Sequence, residues 1–432
     1  MKVLFVEAEE TFYMPVNTKI PKRWAYLGEI ATYIAKENDV KVMDCINPQI
    51  SHAEILNEIA NNKYELICFL TRIETVNSLL KLIPLIKKIS SDTKLLIYGD
   101  APCMFPNFLK ENLSDVDAII ESGDWEVAIS NYIKYINNEK QFKNNNIPGI
   151  TLKINKTWQN AKTCNGENFV GWSFTDLDSK LLNVDLYKSL RHDEVTISAS
   201  RGCPYNCKFC LAVKTFDKDD RRKDIKELVN YMLKNKNKVK TYKLFSPTFT
   251  YNSDWVVKFC DELIKREAGV EWVTTSRTDK LQDENMIKKM SLAGCKKIAV
   301  GVETLDKEAN RELRKFNDIE NYKENVRNMF SIAKKYNIEI KPLLMMGIKG
   351  QTKENIKESL LFLKEIGAKE VRVAAYSPRQ LLTKKDNEGT LTIEDINAMD
   401  KMTYIDYLPE KMTEEDFLKI IYETEKFNEI LQ

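Results

Sequence analysis

The stretch VTISASRGCPYNCKFCLAVK, residues 195–214, places Cys203, Cys207 and Cys210 directly behind an apolar, β-branched run. That run reads as a buried strand, so the cysteines fall on the loop at its carboxyl end. In open parallel α/β sheets this is the edge where ligands and chemistry collect. Three thiolates within one short loop can converge on one metal centre, and a sulfur set without His suits an iron–sulfur cluster or zinc. A structural zinc would want a fourth Cys or His at a matching spacing. The two histidines do not supply it, since His52 is remote and His192 precedes Cys203 by eleven residues. Three ligands without a fourth describe a cube with one iron left open for chemistry. The alternatives are a zinc knuckle borrowing a remote ligand and a disulfide with one free thiol.

Outward from this loop the chain alternates strand and helix. Downstream, candidate strands at 195–200, 240–246, 270–276, 296–302, 338–345 and 369–376 are separated by helical patterns near 222–236, 253–266, 283–293, 319–336 and 353–367. Six such units fall short of an eight-stranded barrel and predict an open, partial (β/α)6 barrel. Upstream, apolar runs at 2–7, 40–45, 64–70, 94–98 and 117–121 alternate with helical patterns near 25–37, 52–62, 76–90 and 124–137. Short apolar strands with helical crossovers predict a doubly wound, Rossmann-like parallel sheet. The polar stretch NNEKQFKNNN, 137–146, reads as a linker, and GITLKINKTW, 149–158, as a small exposed hairpin. The end of the chain, including TEEDFLKIIYETEKF with Tyr422 and, before it, Tyr404 and Tyr407, reads as a helical packing or lid element. The expected organisation is therefore α/β, with a Rossmann-like domain over 1–140, a linker with hairpin over 141–190, a partial barrel over 191–385 and a helical segment over 386–432.

Composition narrows the class further. The chain has 432 residues, 43% hydrophobic and 30% charged, with 66 basic against 64 acidic residues. No global positive field points to DNA. The opening MKVLFVEAEE has too short an apolar run for a signal peptide. No stretch approaches the roughly 20 apolar residues of a membrane helix, so no membrane partner and a cytoplasmic location are expected. Of nine cysteines, Cys45, Cys68, Cys260 and Cys295 sit in apolar segments and read as small buried hydrophobes. A reducing compartment is the simpler context.

The CxxxCxxC loop, preceded by a strand and by Ser200-Arg201-Gly202, resembles the radical S-adenosylmethionine superfamily. The resemblance implies a [4Fe-4S] cluster on Cys203, Cys207 and Cys210, with Phe209 near the adenine of S-adenosylmethionine. SPTFTYNSDW, 246–255, stands where relatives carry a Gly-Gly-Glu segment that receives the methionine amino group. That assigns Ser246, Pro247 and Thr248 to the cofactor. WVTTSRTDKL puts Ser276 and Arg277 at the third strand end, where Arg277 resembles the family residue pairing with the methionine carboxylate; a guanidinium fork suits that task. The alternative for Arg277 is a surface ion pair. AGCKKIAVGVETLD places Glu303 at the fourth strand end, toward ribose or substrate, or as a structural acid of the barrel mouth. MMGIKGQT, 345–352, resembles the glycine-containing turn beside the adenosine, with Gly347 and Gly350 as backbone devices.

The Rossmann-like domain ahead of the barrel is similar to that of the cobalamin-binding subgroup, through KIPKRWAYLGEIATYI, LLIYGDAPCMFP and DVDAIIESGDWEVAI. An Asp-x-His-x-x-Gly cobalt-ligand motif is absent, as in many radical members, and His52 reads as a surface residue. Gly99-Asp100-Ala101-Pro102 replaces a pair of glycines and a Pro-His pair, and Asp100 would crowd a nucleotide tail. The alternative is a domain kept for packing or substrate docking.

The resemblance implies reductive cleavage of S-adenosylmethionine to a 5′-deoxyadenosyl radical, with electrons from a donor such as flavodoxin or ferredoxin. With cobalamin the expected activity is a C-methyltransferase acting on an unactivated carbon of a peptide or small molecule. Without it, the expectation is rearrangement, cyclisation or epimerisation. A non-catalytic, metal-stabilised binding protein is the reading from another class. Methylthiotransferases carry an additional N-terminal cysteine set, which is not evident here.

Overall fold

A computed structural model describes residues 1–9, 25–45, 47, 49–138, 147–159, 169–182, 185, 194–207, 209–316, 318–376, 379–400 and 411–430. Cys164, His192, Tyr404, Tyr407 and most of the polar stretch 137–146 lie outside the described residues.

The first sheet begins with five parallel strands, β1 (Lys2–Glu7), β2 (Asp39–Asp44), β3 (Leu66–Leu70), β4 (Lys94–Tyr98) and β5 (Ala118–Ile119). Their spatial order is 2-1-3-4-5, so the winding reverses between β1 and β3. The central strands are apolar throughout because helices cover both faces. Leu4, Val6, Ile67 and Phe69 pack with the helices His52–Asn61 and Val76–Ile89. Val3, Phe5, Leu66 and Cys68 face the other way, toward Ala25–Ile34 and Trp125–Ile136.

The hairpin expected to stand exposed instead extends this sheet. Its strands β6 (Thr151–Ile154) and β7 (Thr157–Gln159) add antiparallel to β5. Asn155 and Lys156 turn it at φ 48° and 67°, the geometry a two-residue turn needs to match strand twist. Pairing buries Leu152 and covers the otherwise open edge of β5.

The second half is built on β8 (Glu194–Ser198), the short ribbon β9 (Ser200–Arg201) and β10 (Arg221–Arg222), then β11 (Thr241–Phe245), β12 (Glu271–Arg277), β13 (Cys295–Glu303), β14 (Glu339–Met346) and β15 (Arg372–Ala375). Apart from the antiparallel ribbon, these form one six-stranded parallel sheet in the order 15-14-13-12-11-8. Each of the five predicted helices sits between successive strands, as in a partial barrel. Period-two alternation sorts the strands: Ile298, Val300 and Val302 of β13 join the helix-side core. The intervening face carries Lys297 and, on β14, Glu339 and Lys341, tied together through Glu370. The amino ends of these strands are thus polar and partly open on this face, and the cysteines lie at the opposite, carboxyl ends.

The chain's last helices bind both halves. Leu382 and Ile396, from the helices Arg379–Asn387 and Ile393–Asp400, enter the core of the first sheet. Asp386 accepts from the N–H groups of Asn107 and Phe108, the electropositive start of the helix Pro106–Asn112. The helix Glu414–Ile430 instead lies on the barrel, with Phe417 and Ile420 in its core. Asn428 bonds both the N–H and the C=O of Val371 at 2.9 Å, satisfying backbone groups just ahead of edge strand β15. These segments are packing elements; Tyr422 is exposed. Among the described residues no helix is long and apolar enough to cross a membrane.

Candidate active site at the cysteine loop

The loop begins with a backbone constraint. Gly202 adopts φ +81°, and a Cβ there would lie 1.9 Å from the carbonyl oxygen of Asp219. Only glycine fits so close to a neighbouring backbone. The next N–H, of Cys203, donates to the carbonyl of Asp217 at 3.1 Å. Cys203 is thereby anchored and buried, whereas Cys207 and Cys210 are partly exposed. Cys210 donates its N–H to the carbonyl of Cys207 at 3.1 Å, closing the second half of the loop.

Groups that favour thiolates surround the sulfurs. Ala212 N–H points at Cys210 Sγ from 3.4 Å, Arg277 Nη1 reaches Cys207 Sγ at 3.4 Å, and Thr248 Oγ1 lies 4.0 Å from Cys203 Sγ. Burial nevertheless pushes the Cys203 and Cys210 thiols up, and the neighbouring cysteines add to the effect. Bound metal reverses that balance because its positive charge favours the deprotonated ligand. Among the described residues no three His, Cys, Asp or Glu side chains gather as around a single ion. A mononuclear zinc site needs four donors meeting at one point. A cubane spreads its thiolates over separate irons, so three cysteines on one loop, with no fourth donor gathered beside them among the described residues, suit it.

The rim around the loop comes from the strand ends. Ser246 and Ser200 share a buried hydrogen bond of 2.6 Å, and the Ser246 carbonyl accepts from Thr275 Oγ1 at 2.8 Å. Pro247 follows, partly exposed, and Thr248 is buried. Ser276 hydrogen-bonds Thr250, also buried. Arg277 is held by Asp279 at 2.9 Å and stacks over Tyr205 with its guanidinium 3.9 Å from the ring centroid. Burial opposes its charge, but Asp279 and Cys207 hold the guanidinium pKa above its ordinary value. The structure therefore places Arg277 against the cysteine loop rather than out on the surface.

At the end of β13 the backbone is strained. Glu303 sits at φ 64°, beside an irregularity in the β13–β14 register. Lys315, only 3% exposed, pairs with its carboxylate at 2.8 Å and donates to the Gly301 carbonyl at 2.6 Å. Non-glycine residues in the left-handed region cluster at functional positions, and here a largely enclosed ion pair accompanies one. Phe209 packs against the small cluster of Ala309, Leu313, Ile348 and Tyr376, and Ile348 follows Gly347. Gly347 has φ +87°, and a Cβ would stand 2.6 Å from the ring of Phe417.

The residues expected from the sequence at the cluster and S-adenosylmethionine site all lie on this loop or on the strand ends and turns around it. Sequence reasoning missed Lys315, Thr250, Tyr205 and Asp279. Lys315 carries no motif of its own, and its role arises only when the loop after helix Lys307–Leu313 folds back to Glu303. Cys68, Cys260 and Cys295 are buried as expected, but Cys45 is only partly buried. It stands just past β2, where burial and then Glu9, Asp44 and Glu7 push its thiol up to about 12. His52 opens its helix behind the N-cap Ser51 and is partly buried rather than on the surface.

The two sheets approach each other at this loop. The helix Ala212–Phe216, directly after Cys210, packs against Asp100–Met104 at the end of β4. Gly123 N–H donates to the Thr215 carbonyl at 3.0 Å.

Comparison with known proteins agrees with this geometry. Residues 197–363 match the Radical SAM superfamily. An anaerobic magnesium-protoporphyrin IX monomethyl ester cyclase of Rubrivivax gelatinosus is 23% identical over 88% of this chain and 68% of its own. An uncharacterized methyltransferase of Pyrococcus horikoshii is 20% identical over 85% of this chain and 78% of its own. Among solved structures, the radical S-adenosylmethionine methyltransferase TsrM of Kitasatospora setae, with cobalamin and a [4Fe-4S] cluster bound, has a TM-score of 0.74 at 14% identity, covering 88% of this chain and 77% of that one. The cobalamin-dependent radical enzyme OxsB, with aqua-cobalamin and S-adenosylmethionine bound, has a TM-score of 0.67 at 18% identity, covering 99% of this chain and 61% of that one. At these identities the structural likeness establishes the fold, and the family match is confined to residues 197–363: the chain carries a radical S-adenosylmethionine superfamily domain.

Proposed function

We propose that this enzyme is a cobalamin-dependent radical C-methyltransferase acting on an unactivated carbon of a small molecule or peptide. The observation that carries the radical half is the three-cysteine loop facing Arg277 and a rim of buried hydroxyls at the carboxyl ends of β11 and β12. Cys203, Cys207 and Cys210 would hold a [4Fe-4S] cluster. Such a cluster, when bound, supplies the electron that splits S-adenosylmethionine to methionine and a 5′-deoxyadenosyl radical. Arg277 would take the methionine carboxylate through a charge-assisted fork. Ser246, Pro247 and Thr248 would line the amino end, Ser276 and Glu303 the ribose side, and Phe209 and Gly347 the adenine. Burial of this rim excludes water and other quenching groups, which matters when the species formed reacts with whatever is nearest.

The methyl-transfer half rests on the first sheet. Its winding reverses between β1 and β3, which opens the crevice that doubly wound sheets use for ligands. The carboxyl end of β4 packs beside the cysteine loop, so a ligand at these strand ends faces the same space. Glu7 and Arg72 form a buried ion pair at the ends of β1 and β3, which fixes the backbone on the two sides of that crevice. Gly99, directly after β4, is fixed by its own chain, because at φ +124° a Cβ would meet the Thr71 carbonyl at 2.5 Å. Cobalamin would supply the methyl group. The TsrM and OxsB structures, both solved with cobalamin, support this reading. The division into domains at 140, 190 and 385 is part of the same proposal, as are a flavodoxin or ferredoxin donor and a cytoplasmic setting.

The cyclase from Rubrivivax gelatinosus, alike over most of the chain, favours a second reading in which the radical drives a cyclisation without methyl transfer. Anaerobic reconstitution with iron, sulfide and cobalamin separates the two. The expected result is 5′-deoxyadenosine from S-adenosylmethionine, lost in Cys203→Ala, together with tight corrinoid binding and a product heavier by one methylene. Absence of 5′-deoxyadenosine overturns both readings; 5′-deoxyadenosine without corrinoid binding overturns methyl transfer.

A further inference from the structure

Directly ahead of the cysteine loop in the chain, the two halves meet on charges that solvent does not reach. Arg201, Glu29, Asp124 and Glu126 are each at most 1% exposed. Arg201 makes a two-pronged contact with Glu126 at 2.6 and 2.8 Å, reaches Asp124 at 3.4 Å and lies 3.5 Å from Glu29. The second oxygen of Asp124 takes Arg221. Glu29 accepts from both the N–H and the hydroxyl of Ser198 at 2.7 Å. The Arg201 guanidinium also stacks on Trp172, 4.7 Å from its centroid.

These contacts converge on one short ribbon. Arg201 on β9 is paired in register with Arg221 on β10, and Asp124 bridges the two. Gly202 and Cys203 follow Arg201 directly, Gly202 without room for a side chain and Cys203 bonded through its N–H to Asp217. The first cysteine therefore sits at the end of a two-residue lever. The lever's other end is clamped by carboxylates 77 and 75 residues upstream, at the start of the helix Trp125–Ile136. Docking alone does not demand such an arrangement. Burying ions is expensive, and apolar residues of like volume often hold an interface as well. A planar guanidinium gripped on two edges and one face adds a fixed direction.

We propose that Arg201 is a positioning residue for the cysteine loop, and that Glu126 and Asp124 act through it on an iron–sulfur centre they do not touch. The inference rests on the radical reading above, and wild-type cluster assembly and S-adenosylmethionine cleavage in the same preparations test that reading separately.

The test uses the reconstituted holoenzyme in three forms: Glu126→Gln, Arg201→Lys, and the paired Arg201→Met/Glu126→Met. Lys238→Ala, which removes an exposed pair with Asp178, serves as control. Iron content, the midpoint potential and electron paramagnetic resonance spectrum of the reduced cluster, KM for S-adenosylmethionine and thermal unfolding are measured on each. In Glu126→Gln and Arg201→Lys the expected result is an altered spectrum and potential with KM raised at least five-fold, while the control matches wild type. The methionine pair is expected to recover thermal stability but not the spectrum or KM, because it restores packing without direction. If the single variants fail to fold, the methionine pair decides alone. Variants that melt early yet keep the wild-type spectrum, potential and KM overturn the proposal, as does a methionine pair that recovers all three.

Discussion

Replacing Gly202 with Ala tests the geometry on which Cys203 depends. The residue adopts φ +81°, and the added Cβ would lie 1.9 Å from the Asp219 carbonyl oxygen, 2.8 Å from its carbon and 3.3 Å from the Asp217 oxygen. All three are backbone atoms, so no side chain can rotate away. The left-handed backbone costs an L-residue roughly 1–2 kcal/mol, and overpacking against rigid neighbours typically adds about 1–3 kcal/mol. The sum, about 2–5 kcal/mol, has two outlets. If the ribbon holds, the barrel loses stability, and a unit of 150–250 residues loses roughly 2–4 °C in Tm per kcal/mol. If the ribbon yields, the β9–β10 pairing and the Cys203 to Asp217 bond open and Cys203 moves. Anaerobic reconstitution followed by iron analysis and calorimetry distinguishes them. A Gly202→Ala protein with wild-type iron content and a Tm within about 2 °C of wild type refutes the reasoning, since neither outlet would have been used.

Arg277→Ala removes charge-assisted hydrogen bonds worth about 1.5–3 kcal/mol, so binding of S-adenosylmethionine should weaken roughly 10- to 150-fold with iron content unchanged. Anaerobic calorimetry measures it, and an unchanged affinity refutes the role given to Arg277. Lys315→Met leaves the Glu303 carboxylate without its partner in a confined site. It should raise KM for S-adenosylmethionine more than it lowers iron content, with Lys315→Arg recovering part of the loss; equal effects from both variants would argue against a pairing role. For pH, the Glu29 carboxyl is raised chiefly by burial, with Glu126 adding to it and Arg201 and Ser198 opposing. A raised carboxyl contributes stability that is complete below its unfolded pKa, about 4.3, and lost as pH climbs through the folded value. Glu29→Gln, which can keep the Ser198 contacts, should therefore gain stability relative to wild type as pH rises. Parallel Tm profiles for the two proteins would rule this out.

Much of the architecture was legible because burial on both faces writes itself into composition. The runs at 2–7, 66–70 and 94–98 are apolar without alternation, and each became a covered parallel strand. The barrel strands alternate instead, as at Ile298, Val300 and Val302, since one face meets helices and the other is only partly buried. The cysteine loop was readable because its chemistry is local: three ligands on one segment behind one strand. The hairpin at 151–159 showed its turn but not its partner, because the pairing with β5 spans more than thirty residues.

What the sequence alone determined, then, is whatever short-range spacing encodes: strand and helix periods, the thiolate triad, and the strand ends carrying Ser246, Arg277, Glu303 and Gly347. What only the tertiary structure decided is which distant charges meet. Nothing in the spacing of Glu29, Asp124, Glu126 and Arg201 announces a common buried cluster, and nothing near Lys315 announces Glu303. Ion pairs depend on distance in space and on exclusion of water. Both are properties of the folded chain, and neither leaves a period in the order of its residues.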